Sequence, residues 1–186
     1  MRQISFLGLG VMGLPMTKNL VKKSGCSVLG YDVVPEQTAS FQAAGGVAVE
    51  DPTEIYRSCQ IIFQILPTHP VIIHSVEQAV QYGKPGGIVV DLSSTAPDII
   101  LDLFQKTQAA GMSLVDAPVS GGNPMAAAGT LAIMAGGKRD AFEAVKPLLS
   151  CMGTPVYTGG PASGSVTKLG PVHISPRARL FGKFCR

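Results

Sequence analysis

The sequence predicts an α/β domain built on a doubly wound, mostly parallel sheet. Three observations carry that reading: short β-branched runs alternate with longer amphipathic stretches, most of the runs are apolar throughout, and the stretches between them close on glycine. A strand with no polar side is covered by helices on both faces, which is the situation of a parallel strand. Strand and helix taking turns along the chain is the βαβ order that such a sheet requires.

Residues 4–8, 27–32, 61–66, 87–92 and 113–116 read as the strands. Segments near 12–23, 35–44, 69–81 and 97–109 read as the helices between them, stopped by Gly25, Gly45, Gly83 and Gly111. Glycine ends a helix because it enters the left-handed conformation without penalty. A strand at 130–135, a helix at 138–149 and a strand at 154–158 extend the sheet towards an edge.

Composition excludes several classes. With 46% hydrophobic and 15% charged residues over 186 positions, the chain can bury a core and is not globally disordered. No apolar run has the length of a membrane span, and the opening Met-Arg-Gln-Ile-Ser-Phe-Leu-Gly is too glycine-punctuated for a signal peptide. Cys26, Cys59, Cys151 and Cys185 are scattered and form no CxxC pair, which suits thiols in a reducing compartment and predicts a cytoplasmic protein. The net charge of +3 comes from the end of the chain, where Arg177, Arg179, Lys183 and Arg186 meet no acid. Without those four, 11 basic residues face 12 acidic ones, so the body offers no nucleic-acid surface. His69 and His74 are badly spaced for a shared metal, no Cys/His/Asp cluster has ligand spacing, and no metal is expected. No second motif supports a Ser-His-Asp hydrolase.

The first strand runs into Gly8-Leu9-Gly10-Val11-Met12-Gly13 and then a helix. In this GxGxxG pattern Gly8 permits the tight turn, Gly10 lets the backbone approach a pyrophosphate, and Gly13 lets the helix pack on the strand. The pyrophosphate rests on the free N–H groups at the helix start. Asp32 ends the second strand 19 residues after Gly13, placed to accept hydrogen bonds from a ribose diol. This is the opening unit of a Rossmann domain, and the cofactor it predicts is a nicotinamide dinucleotide. Asp32 repels a 2′-phosphate, and Val33-Val34-Pro35-Glu36 supplies no arginine to offset it, so NAD is expected over NADP.

Residues 6–16, with Asn19-Leu20 following, closely resemble the opening of the β-hydroxyacid dehydrogenases, the family of 3-hydroxyisobutyrate dehydrogenase and 2-hydroxy-3-oxopropionate reductase. The resemblance runs through further blocks to about Leu169. Leu66-Pro67-Thr68 matches the family's Leu-Pro step along the cofactor ribose. Asp91-Leu92-Ser93-Ser94-Thr95-Ala96-Pro97 resembles the segment whose hydroxyls approach nicotinamide and substrate; it implies a substrate contact at Ser93 and a cofactor contact at Ser94, which stands where the family has threonine. Asp116-Ala117-Pro118-Val119-Ser120-Gly121-Gly122 resembles the substrate-carboxylate block, implying that Ser120, Gly121 and Gly122 hold a carboxylate. A hydroxyl beside successive glycine N–H groups is physically suited to an anion. Asp116 reads as the end of its strand, fixing the turn rather than joining the chemistry. Lys168, four residues after Gly164, matches the catalytic lysine, with general acid/base work on the substrate oxygen implied.

The resemblance implies an NAD-dependent oxidoreductase passing hydride between nicotinamide and a short 3-hydroxy acid or its semialdehyde. The partner is that small molecule, with no nucleic acid or membrane. Both family branches stay open, although 129–137 and 145–148 look closer to the 2-hydroxy-3-oxopropionate branch. The domain organisation expected is a Rossmann domain over 1–160, the start of an interdomain helix over 161–169, and a divergent basic tail over 170–186. Ala162 replaces a common family glycine, a change that reads as minor. After Leu169 the family continues as a long helix into an all-helical, dimerising domain, whereas here Pro171 and Pro176 argue against a continuous helix. The tail reads as unrelated sequence, as from a frameshift or a truncated gene, and the chain is expected to lack that second domain. The alternative is therefore a truncated NAD-binding module that does not turn over. An imine reductase is a third reading, disfavoured because Lys168 is present.

Overall fold

The computed structural model describes residues 3–173. In chain order these form β1 (Gln3–Leu7), α1 (Gly13–Lys23), β2 (Ser27–Tyr31), α2 (Pro35–Ala43), β3 (Val47–Ala48), α3 (Pro52–Ser58) and β4 (Ile61–Gln64). There follow α4 (His69–Tyr82), β5 (Ile88–Asp91), α5 (Pro97–Ala109), β6 (Ser113–Asp116), β7 (Val119–Ser120) and α6 (Gly122–Ala128). The last elements are β8 (Leu131–Gly137), α7 (Arg139–Leu149), β9 (Gly153–Gly159) and α8 (Ser163–His173).

The sheet order is β3-β2-β1-β4-β5-β6 and then β8, with all pairings as far as β6 parallel. The chain leaves β1 in one direction for β2 and β3, then returns to the other side for β4, β5 and β6. A crevice therefore opens at the C-terminal ends of β1 and β4, the topological switch point where doubly wound sheets take their ligands. Past β6 the rule changes: β6 and the short β7 both run antiparallel to β8, while β9 pairs β8 in parallel on its other side. This is the Rossmann-type, mostly parallel sheet that the strand pattern predicts.

Apolar residues on both sides of each strand feed two cores. Ile4, Phe6, Ile61, Phe63, Ile88 and Val90 face a core closed by Met16 and Leu20 of α1 and Phe142 and Val145 of α7. Leu7, Ile62, Val89 and Leu114 face the opposite core, closed by Ile55 of α3, Ile72 and Val76 of α4 and Leu103 of α5. Helix α3 was not anticipated. Its signal is an Asp-Pro step: Asp51 accepts the Thr53 N–H at 2.9 Å and Pro52 takes the first turn.

Two expectations at the end of the chain change. Helix α8 runs through Pro171 to His173, so that proline does not stop it and the first residues assigned to the tail are helical. Pro171 lies three residues past Lys168, in the last described turn of the helix. Pro176 and the four basic residues of the tail lie outside the described residues. Ala162, in turn, is more than a minor change: it sits just before α8, 3% exposed, with φ at +64°. A left-handed alanine presses its Cβ on the backbone, at a cost of about 1–2 kcal/mol.

Ala162→Gly should therefore raise stability by about 1 kcal/mol, the relief of strain being partly offset by the freer unfolded chain. Urea titration checks it, through a higher midpoint at unchanged slope. A lower midpoint would mean that the methyl packing outweighs the strain.

Candidate active site

The glycine loop after β1 is built by steric demand. Gly8 has φ at +88°, and a Cβ there would collide with the Ile65 carbonyl oxygen. A Cβ on Gly13 would collide with the Gly8 carbonyl oxygen. Gly10 is different, because a Cβ there would meet nothing within 4 Å. Nothing in the described residues requires glycine at Gly10, so its bareness fits a close approach by a ligand. Met12 is the N-cap of α1, makes no side-chain cap bond, and is followed by no acid in the first turn. Those N–H groups and the helix dipole suit an anion.

Asp32 locks this loop to β2. Its Oδ2 accepts the Leu9 N–H at 2.6 Å and its Oδ1 accepts the Val34 N–H at 2.9 Å. A carboxylate with two bonds retains lone pairs for a ribose diol. The neighbours Val33 and Val34 are exposed and carry no charge. Asn123, which the sequence reading did not single out, donates to the Val11 carbonyl at 2.6 Å and steadies the outer side of the loop.

A cleft of about 580 Å³ lies at the switch point, lined among others by Met12, Leu66, Pro67, Ser93, Ser94, Gly122 and Lys168. Met12, Leu66, Pro67, Ser93, Ser94, Gly122 and Lys168 thus converge from five segments, whereas Gly10 and Val11 open onto a neighbouring recess of about 380 Å³, and Gly8, Leu9, Gly13 and Asp32 line neither. Ser120 and Gly121 adjoin Gly122 but are exposed beside the cleft rather than lining it. A side chain on Gly121 would stand 2.6 Å from Met125 Sδ, and φ there is +133°. Its glycine is explained by the fold alone. Thr68 and His69 also line the cleft, directly after the Leu-Pro step that could have flagged them.

Ser93 is buried, and its hydroxyl accepts the Leu66 N–H at 2.9 Å, strapping the β5 loop to the β4 loop. Ser94 is exposed, and its Oγ accepts a hydrogen bond from Lys168 Nζ at 2.6 Å. Lys168 is half-buried, and that burial pushes its pKa below the ordinary lysine value. Asp116 is 1% exposed, and its Oδ2 accepts the Ser165 N–H at 2.8 Å. It therefore anchors α8 rather than only its own turn. Burial pushes its pKa up from 3.8 to about 6, outweighing the Ser165 N–H and the nearby Ser165 hydroxyl, which lies out of hydrogen-bond geometry. The folded state thus holds this proton more tightly than the unfolded chain. The stability it contributes is present at low pH and is lost as pH rises from about 4 to about 6, by at most about 3 kcal/mol.

Residues 3–160 match the family model described as the NAD binding domain of 6-phosphogluconate dehydrogenase. The chain belongs to this family. This NAD-binding domain is 36% identical over 170 residues to human mitochondrial 3-hydroxyisobutyrate dehydrogenase, covering 89% of the chain and 50% of the relative. It is 34% identical over 173 residues to an NAD-dependent L-serine dehydrogenase of Pseudomonas aeruginosa, covering 91% of the chain and 58% of that relative. Among solved structures, a 3-hydroxyisobutyrate dehydrogenase of Mycobacterium tuberculosis with L-serine superposes with a TM-score of 0.88 at 31% identity, covering 92% of this chain and 59% of that one. The domain spans about half the length of the curated relatives it matches. The relatives bear out the resemblance to hydroxyacid dehydrogenases, and the family bears out NAD. Among the described residues, no helix is long and apolar enough to cross a membrane.

Gly13 and Gly10 should separate on mutation. Gly13→Ala should destabilise the fold by about 1–3 kcal/mol through overpacking against the Gly8 carbonyl. Gly10→Ala should leave stability within about 0.5 kcal/mol yet weaken NAD binding on the order of tenfold or more, ~1.4 kcal/mol. Thermal melts with calorimetric NAD titration check both, and unchanged NAD affinity in Gly10→Ala would remove the ligand from that space.

Proposed function

We propose that this domain serves an NAD-dependent oxidoreductase that interconverts a short 3-hydroxy acid and its carbonyl form. The observation that carries it is the Lys168–Ser94 contact at the cleft mouth, a half-buried ammonium beside the Leu-Pro step and Gly122. Bound NAD would supply the chemistry of accepting or returning a hydride at the substrate carbon. The chain's own residues handle the rest. Gly10 and the start of α1 hold the pyrophosphate, and Asp32 holds the ribose. Ser120 to Gly122 take the substrate carboxylate. In oxidation, neutral Lys168 accepts the hydroxyl proton as the carbonyl forms; in reduction, its ammonium donates that proton to the carbonyl oxygen. Ser94 holds Nζ in place for both directions.

Burial of Lys168 has a defined pH consequence. Oxidation needs the neutral amine, so its rate rises with pH through the lysine pKa, and burial moves that rise to lower pH.

The test is steady-state assay of NAD with a panel of short 3-hydroxy acids, on this chain and on one extended by a relative's C-terminal half. Lys168→Ala should cost about 10²–10⁴-fold in turnover while leaving NAD affinity intact. Ser120→Ala should raise KM for the acid without moving Kd for NAD. Undiminished turnover in Lys168→Ala would sink the reading, and NAD binding without turnover in either form would favour a pure binding module. NAD should bind more tightly than NADP by about 1–3 kcal/mol, because Asp32 leaves a 2′-phosphate repelled and unpaired. Titration calorimetry with both cofactors reads this directly, and equal affinities would remove Asp32 from the ribose.

A further inference from the structure

Two buried carboxylates stand side by side at the C-terminal edge of the sheet. Asp91 and Asp116 are register partners on β5 and β6, and each is 1% exposed. Asp91 is fully engaged: Oδ1 accepts from the Ser93 N–H at 3.2 Å and Gln64 Nε2 at 3.3 Å, and Oδ2 accepts the Thr95 hydroxyl at 2.6 Å. These bonds shape the loop that presents Ser94. Asp116 stands under the other partner of the Ser94–Lys168 contact, because the Ser165 N–H it accepts lies in the first turn of α8, one turn before Lys168.

The socket around Asp116 is tight. A Cβ on Gly136 would lie 2.5 Å from its Oδ1 and 2.6 Å from Ser163 Oγ, and one on Gly164 would lie 3.0 Å from its Oδ2. Two bare positions, on β8 and α8, thus admit the carboxyl to the helix start. Its Oδ1 has no hydrogen-bond partner among the described residues. A buried, half-satisfied carboxylate is a poor source of stability compared with an apolar side chain of similar size. Folding does not account for it, whereas its place beneath the lysine helix does.

We propose that Asp116 is a positioning residue for Lys168: by holding the Ser165 N–H it fixes where α8 begins and so keeps Nζ on Ser94. Three residues separate the anchored N–H from Lys168, roughly 4.5 Å of helix rise, so a slip at the anchor reaches the lysine nearly undiminished. The inference rests on the proposed function only for its catalytic meaning; the placement itself is read without turnover. Among the described residues, Asp91 of β5 is the charged group that bears on Asp116, while β8 presents Gly136 and α8 presents Ser163 and Ser165.

The experiment follows the Lys168 Cε resonance in the full chain labelled with ¹³C-lysine, assigned by its loss in Lys168→Arg. Wild type, Asp116→Asn and Asp116→Ala are titrated from about pH 5 to about pH 11, which spans carboxyl and lysine ionisation. In wild type and Asp116→Asn, whose amide oxygen accepts the same N–H, Lys168 should titrate alike and below the surface lysines. In Asp116→Ala it should move up to the ordinary value of about 10.4 as the ammonium leaves for water. Wild type should also show a small step near pH 6 that Asp116→Asn lacks, the carboxyl ionising against the helix anchor. A folded Asp116→Ala with the wild-type titration overturns the proposal. If that variant does not fold, a missing step in wild type, or one that persists in Asp116→Asn, overturns it instead. Neither outcome depends on dehydrogenase activity, so failure of that activity and failure of the positioning role remain distinguishable.

Discussion

Where β1 and β4 separate, three backbone segments touch with no side chain between them. The Ile65 N–H bonds the Leu7 carbonyl at 3.0 Å, Gly8 turns under the Ile65 carbonyl, and Gly13 brings the start of α1 onto the Gly8 carbonyl. Any β-carbon at Gly8 or Gly13 pushes these layers apart. Because they stay together, α1 begins at the sheet edge with its free N–H groups over the crevice, and the Leu66–Pro67 step arrives on the other side. Asp32 then has only to reach Leu9 to fix the loop from β2. This half of the cleft is a consequence of backbone contact.

The other half is held differently. Side-chain bonds from the sheet edge organise the loops that carry Ser93, Ser94 and Lys168, and they continue inward. Gln64, bonded to Asp91, also accepts from the Ser75 hydroxyl at 2.8 Å, and Ser75 meets the Tyr56 hydroxyl at 3.0 Å. This buried chain runs from α3 and α4 to the cleft. A polar network of this kind is rigid only while every member is paired, since in a low-dielectric interior an unpaired member is costly. Asp91 meets that condition, whereas Asp116, its register partner on β6, stands outside this chain of bonds with Oδ1 unpaired among the described residues.

Much of this was legible in the residues. Runs such as 61–66 and 87–92 lack a polar side, and that alone placed them inside a parallel sheet between two helical layers. Gly8 and Gly13 were read for their mechanical roles, and the backbone at both leaves no room for a side chain; the tie from Asp32 to the Leu9 N–H was not read. What failed was whatever depends on contacts remote in sequence. The antiparallel return of β8 has no local signature. The role of Asp116 is invisible until α8 folds back upon it. Ser94 was placed against cofactor by resemblance, and only the fold shows it bonded to Lys168. Pro171 misled because a proline removes a single helical hydrogen bond, and one in the last described turn of α8 leaves the turns before it intact. Ala162 was underrated because strain belongs to a backbone angle, which residue identity alone does not reveal.

The Lys168–Ser94 bond joins residues 74 apart in the chain, and the Asp116–Ser165 bond joins residues 49 apart. Closing such loops is entropically costly and adds roughly 0.6 kcal/mol for each doubling of length. The crevice beside Gly8 closes a loop of the same order, since Ser5 of β1 pairs with Ile62 of β4, 57 residues further on. The three closures differ by only about a few tenths of a kcal/mol. The cleft is therefore a property of the whole folded domain, and no local segment of the chain carries any wall of it alone.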